Sequence, residues 1–230
     1  MRGAIQLSRR WLRPRGFSLI ELLTVIAVIA IIAVLIVPAF NRIGQANRLS
    51  SAAFALMNTL SQARGEAIAQ NTLVQLRVAA TDVSGEQTAY RYYSLWRLDR
   101  DANGVESFQP LTRWEAIPQG VYLETDAAPM TKRAQKNSKY AARDYTGTHA
   151  LNEPALNNRV TGVPFRSGAV EAVYVEFLPD GSLNFPSLTT AAVYFMLSEG
   201  APGSQASSTN PNWRAVFVTA LSGALAIREP

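Results

Sequence analysis

The sequence predicts an α+β chain in which one long N-terminal helix, apolar in its first half and amphipathic in its second, packs on an antiparallel β-sheet. Three observations carry that expectation. Phe17 to Val37 is an almost unbroken apolar run, and a helical period continues beyond it to about Gln70. After Asn71-Thr72 the pattern changes to short alternating segments separated by turn residues. The 230 residues are enough for an N-terminal segment plus one compact domain.

The chain carries 22 Lys and Arg against 17 Asp and Glu, a net charge of +5. Arg2, Arg9, Arg10, Arg13 and Arg15 all precede Gly16, where no acid stands, and the basic residues that remain equal the acids in number. The positive charge therefore belongs to residues 1–16 and does not argue for a nucleic-acid partner of the rest. There is no cysteine, which excludes disulfides, thiolate metal sites and cysteine nucleophiles.

Between Phe17 and Val37 the only polar side chains are Ser18, Glu21 and Thr24. At about 1.5 Å per residue the run reaches roughly 30 Å, the thickness of a bilayer core. Arginines on its N-terminal side predict a cytoplasmic N-terminus. A conventional secretory signal would need a shorter apolar core and a small-residue cleavage site after it, and Ile36-Val37-Pro38-Ala39-Phe40 supplies no such site. Glu21 is the oddity, because an unpaired carboxylate inside an apolar helix costs a few kcal/mol. If the bond between Gly16 and Phe17 were cut, the new amine of Phe17 in a neighbouring copy could neutralise it.

Arg15-Gly16-Phe17-Ser18-Leu19-Ile20-Glu21-Leu22-Leu23 resembles the class III signal of type IV prepilins and type II secretion pseudopilins. The resemblance implies a prepilin peptidase that cuts after Gly16 and N-methylates Phe17. It implies assembly with other pilins through the N-terminal helix, and a pilin-like fold. Pro38 falls where such helices carry a proline. Because proline removes one ladder hydrogen bond, bending or local melting is expected near Val34–Pro38.

Beyond Pro38, Leu49, Ala53, Leu56, Leu60, Ala63 and Ala67 recur at spacings of three and four and predict one buried face, with Arg48, Asn58, Gln62, Arg64 and Glu66 elsewhere. Strands are expected over Val74–Val78, Tyr90–Leu98, Val121–Leu123, Val173–Leu178, Val193–Leu197 and Ala215–Thr219, with Asp180-Gly181 and Ser222-Gly223 as turns and a last hairpin returning to Ile227. Asn47–Ala53, Ala63-Arg64-Gly65-Glu66-Ala67-Ile68, Val175–Gly181 and the final hairpin are similar to FimT/GspH-like minor pseudopilins. The organisation expected is a leader over 1–16, a transmembrane assembly helix over 17–40, an amphipathic helix over 41–71, and a β-rich domain over 72–230 with a polar insertion near 129–162. Lys132, Arg133, Lys136, Lys139 and Arg143 form a basic cluster in that insertion, read as a solvated surface. Glu199–Asn212 reads as a second loop.

No catalytic constellation is legible. His149 is the lone histidine, no Gly-x-Ser-x-Gly elbow or phosphate-binding glycine loop occurs, and Glu171 and Glu176 read as surface acids. Asp99-Arg100-Asp101-Ala102-Asn103-Gly104 matches the opening of an EF-hand loop, so Asp99, Asp101 and Asn103 are candidate calcium ligands. Pro110, however, stands where the bidentate glutamate should be, and a hairpin turn uses the same residues without metal. FimT-like proteins of DNA uptake carry a Gly-Arg-x-Arg element, whereas this chain has Gly223-Ala224-Leu225-Ala226-Ile227-Arg228, so nucleic acid is not expected as a partner. The expectation is a non-enzymatic minor pilin or pseudopilin that initiates or caps a filament. It would be held in the inner membrane by a single span with its domain in the periplasm. A major pilin, or a membrane-tethered binding module that never assembles, is the alternative.

Overall fold

In the computed structural model of the chain, the described residues are 18–83, 85–125, 148–151, 158–166, 168–184, 192–200 and 212–229; over 34–43, 45–46 and 148–149 only the backbone is described. Gly16, Phe17, the leader, the basic cluster at 132–143 and most of the loop after Glu199 lie outside them. The chain divides between Ile43 and Gly44 into two compact units.

Helix α1, Leu19–Gln70, contributes to both units. Its helical backbone is continuous through Pro38, so the local melting expected near Val34–Pro38 does not occur. Proline deletes a single ladder bond and its fixed φ suits a helix, so the flanking bonds keep the turn. The C-terminus closes as a Schellman motif: Asn71, at φ +51°, donates to the Ile68 carbonyl at 3.4 Å, and Thr72 donates to that of Ala67 at 3.2 Å.

The second unit contains β1 (Val74–Ala79), β2 (Tyr92–Arg100), β3 (Glu106–Pro110), β4 (Glu115–Ala116), β5 (Val121–Leu123), β6 (Thr148–His149), β7 (Arg159–Phe165), β8 (Gly168–Phe177), β9 (Ala192–Glu199), β10 (Trp213–Thr219) and β11 (Leu225–Arg228). Among the described residues they form two sheets. One has the order β3-β2-β1-β8-β7, with β4 also on β2; the other runs β11-β10-β9-β5, with β6 also on β9. All pairings are antiparallel except the short β6–β9 pair.

The predicted stripe Leu49, Ala53, Leu56, Leu60, Ala63 and Ala67 is fully buried. It shares one core with the inward faces of both sheets, including Leu76, Leu95, Phe177, Phe195 and Val216. Register explains how: Leu76 stands opposite Leu95 on β2 and Val175 on β8, so one face of three strands meets the helix.

The strand expected from Tyr90 begins at Tyr92, because Tyr90 takes φ +57° in the preceding turn. Strands β3, β4, β6 and β7 are not among those expected from the sequence, and β7 begins inside the segment read as a polar insertion.

Candidate functional site

Ser18 caps α1. The Glu21 amide donates to the Ser18 hydroxyl at 3.2 Å and to its carbonyl at 3.0 Å. Glu21 therefore stands at the third helical position of a Ser-x-x-Glu capping pattern, a signal present in the sequence but not used above. An acid there also complements the positive end of the helix dipole. Glu21 is exposed, and so are Leu19, Ile20, Leu22, Leu23 and the branched residues that follow as far as Ile32, with Leu19 82% exposed. Exposed apolar side chains of this kind mark a segment meant for lipid or other proteins. Among the described residues no helix is long and apolar enough to cross a membrane.

Arg64, part of the Ala-Arg-x-Glu-Ala pattern, lies where two distant turns meet. Its Nε donates to the Gly181 carbonyl at 3.3 Å. A Cβ on Gly181 would lie 2.7 Å from Ile68 Cδ1, and one on Gly223 would run into the Gly181 carbonyl and lie 2.8 Å from Arg64 Cδ. Both glycines have positive φ, at +82° and +62°. Their turns need glycine for backbone conformation and for close approach alike. The motif residues of the helix, the Asp-Gly turn and the last hairpin thus form one packing unit.

The residues proposed for calcium form the β2–β3 hairpin. Arg97 donates to Asp99 through Nε at 2.7 Å and through a terminal nitrogen at 3.2 Å, and also to Glu66 at 2.9 Å. Hydrogen bonds from Arg97 hold the Asp99 carboxyl below its ordinary range. Asp101 Oδ1 accepts from the amides of Asn103 and Val105, each at 2.8 Å, and Gly104 takes φ +81°. Both carboxylates are engaged within the chain, the geometry of an Asx-type turn. No cluster of three or more His, Cys, Asp or Glu suited to a metal occurs among the described residues.

On the face of β1 turned away from the helix, Arg77 is 6% exposed and lies 4.4 Å from the Trp96 ring centre and 5.1 Å from that of Phe108. Its Nε donates to Gln75 at 2.9 Å; Gln75 donates to Glu176 at 2.6 Å, and Asn184 donates to the other oxygen of Glu176 at 2.7 Å. Glu176, read above as a surface acid, is therefore a buried structural group: facing partners on β1 and beyond β8 satisfy both its oxygens. Burial lowers the Arg77 pKa to about 10, partly offset by Tyr174 and Glu176, so it stays protonated at neutral pH. Arg77 lines a cleft of about 1020 Å³ between the 109–114 segment and β7.

Residues 11–37 match the prokaryotic N-terminal methylation motif. The N-terminus carries a methylation motif. Among solved structures the chain is similar to the type IV minor pilin FimU of Pseudomonas aeruginosa PAO1, with 16% identity, a TM-score of 0.41, and 79% of this chain and 89% of that one covered. Two structures of the minor pseudopilin EpsH from the type II secretion system of Vibrio cholerae are similar at 14% and 16% identity. Their TM-scores are 0.39 and 0.40, covering 80% of this chain in each case and 98% and 95% of theirs. No curated protein matches the chain.

Proposed function

We propose that this pilin-like filament subunit is a minor pilin or minor pseudopilin of the FimT/GspH-like group, which initiates or caps a thin filament. The observation that carries the reading is the methylation motif over residues 11–37, continued by a capped helix whose described apolar side chains from Leu19 to Ile32 are exposed. A prepilin peptidase cuts after Gly16 and methylates Phe17. The helix waits in the inner membrane, N-terminus inward, with the β-rich unit in the periplasm. On assembly, helices of neighbouring subunits cover one another's apolar faces, and Glu21 meets the Phe17 amine of an adjoining subunit. The Ala-Arg-x-Glu-Ala element, packed against the glycine turns, supports the minor class over a major pilin.

Intact-mass measurement of the protein isolated from its native membrane tests this reading. The expected product begins at N-methylated Phe17. A chain still carrying residues 1–16, or cut downstream of the apolar run, overturns it in favour of a membrane-tethered module that never assembles.

A further inference from the structure

We propose that the cleft between β3 and β7 is a docking groove for an extended acidic segment of a partner protein, whose carboxylate seats on the guanidinium of Arg77. The cleft lies wholly within the second unit, and the inference does not depend on the filament reading.

The first argument is a buried charge with no directly paired anion. Arg77 is more than nine-tenths buried, yet no carboxylate lies within ion-pair distance of it among the described residues. Among the described residues its one hydrogen bond uses Nε, leaving the two terminal nitrogens without an acceptor while the side chain lines the cleft. A buried cation is costly without a directly paired anion; Glu176, reached only through Gln75, and stacking on two aromatic faces offset part of that cost. The Gln75–Glu176–Asn184 chain of hydrogen bonds fixes the guanidinium in place before any ligand arrives. Such a held fork suits a planar carboxylate.

The second argument is charge complementarity. Among the described residues Arg77, Arg113 and Arg166 line the cleft and no Asp or Glu does; Arg166 is paired outside it with Glu86 at 3.0 Å, which leaves Arg77 and Arg113 to carry its positive charge. Its walls are otherwise mostly apolar and aromatic, with Trp96, Phe108, Trp114 and Pro164 beside the uncharged polar Gln109, Thr112 and Thr161, and its volume falls at the upper end of ordinary ligand sites. A nucleic-acid backbone would call for a row of exposed cations; here the central cation is recessed, which favours a single carboxylate flanked by apolar side chains.

The third argument is the backbone. Strands β3 and β7 are the two ends of their sheet's strand path, and both border the cleft. Between Val160 and Val163 the β7–β8 register shifts, which places a bulge at Thr161 and Gly162. Gly162, at φ +70°, has open space where a Cβ would be. Edge strands can take an added strand, with main-chain bonds for affinity and a side-chain pocket for specificity; the bulge locally interrupts the β7 ladder and re-aims the side chains beside it.

The test uses the full chain in detergent micelles. The probe is the N-acetylated, C-amidated heptapeptide Val-Thr-Val-Asp-Val-Thr-Val, with its Asn counterpart, inorganic phosphate and a short oligothymidylate as comparisons, read by calorimetry and tryptophan fluorescence. The expected result is saturable binding of the Asp peptide, at least about tenfold weaker binding of the Asn peptide, and a similar loss in Arg77→Lys, which keeps the charge but not the fork. Equal affinity for the two peptides on the unaltered chain overturns the proposal even if Arg77→Lys does not fold. Preference for oligothymidylate, binding of phosphate alone, or no binding at millimolar peptide overturns it as well.

Discussion

The Trp114 indole donates a hydrogen bond to the Pro164 carbonyl at 2.8 Å, joining the segment after β3 to β7 across 50 residues of sequence. The two groups belong to opposite ends of the strand path β3-β2-β1-β8-β7. Phe165 backs the contact, with its ring centre 5.4 Å from that of Trp114 and 5.2 Å from that of Tyr92. The sheet therefore curls far enough for its two ends to touch through one side chain.

Trp114→Phe keeps the ring contact and deletes the donor. A neutral hydrogen bond is worth about 1 kcal/mol net, so the expected loss is of that size, read as a lower midpoint in urea with an unchanged slope. A change below about 0.3 kcal/mol would mean that the bond does not hold the two edges together.

Two glycines should respond in opposite directions. Gly223→Ala places a methyl group against the Gly181 carbonyl and Arg64 Cδ, at a φ of +62°. The turn must shift, and a loss above about 2 kcal/mol is expected. Gly65→Ala, in the same helix segment as Arg64, meets nothing within 4 Å and should stabilise by up to about 1 kcal/mol through helix propensity. Thermal melting of both variants decides the matter; Gly223→Ala melting like the parent would dissolve the packing unit described for Arg64.

The glycine node shows where sequence reasoning stopped. Asp180-Gly181 and Ser222-Gly223 were legible as turns because their residue types suit turns locally. That they converge on Arg64 depends on pairings more than a hundred residues apart, which no local pattern encodes. The helix face from Leu49 to Ala67 was legible for the opposite reason, since its period is local and strict. Gln75 and Arg77 alternate with Val74, Leu76 and Val78, so they read as an ordinary outward face. Nothing nearby in sequence announces that Trp96, Phe108 and Glu176 enclose them. The Ser18–Glu21 cap needed only its spacing.

Calcium should leave the protein unchanged. Asp99 is held by Arg97, and the turn amides of Asn103 and Val105 occupy Asp101. A cation would have to displace these bonds and would still lack the glutamate that completes such loops. Millimolar calcium is expected to leave the melting temperature within error, whereas Asp101→Ala should destabilise by about 1 kcal/mol, as loss of a side-chain cap does. A rise of several degrees with calcium, lost in Asp101→Ala, would establish a metal site.

Stability should fall at both ends of the pH range. Burial, reinforced by the neighbouring Glu115, pushes the Tyr93 phenol up to about 12 against the pull of a Thr59 hydrogen bond. Its folded pKa lies above the unfolded value of about 10. That contribution is therefore complete below about pH 10 and disappears as pH rises through about 12. For Asp99 the sign is reversed: Arg97 depresses its folded pKa, so its contribution is present above about pH 4 and is lost as pH falls through the lowered value. Melting temperature against pH should show a plateau between these limbs. Tyr93→Phe should flatten the alkaline limb and Asp99→Asn the acid one; tyrosinate absorbance assigning Tyr93 a pKa near 10 would contradict its burial.

Glu21 has two separable roles, and one substitution distinguishes them. As the third residue of a capping pattern it favours the helix start locally, a task that glutamine also performs. As an anion it would neutralise the Phe17 amine of a neighbouring subunit, which glutamine cannot do. Glu21→Gln should therefore leave the helix content of the detergent-solubilised chain unchanged by circular dichroism while abolishing its incorporation into filaments. Ser18→Ala should do the reverse, fraying the first turn at a cost of about 1 kcal/mol with incorporation retained. If Glu21→Gln assembles as well as the parent, the carboxylate serves only to begin the helix, and the charge-pairing step of the proposed assembly fails.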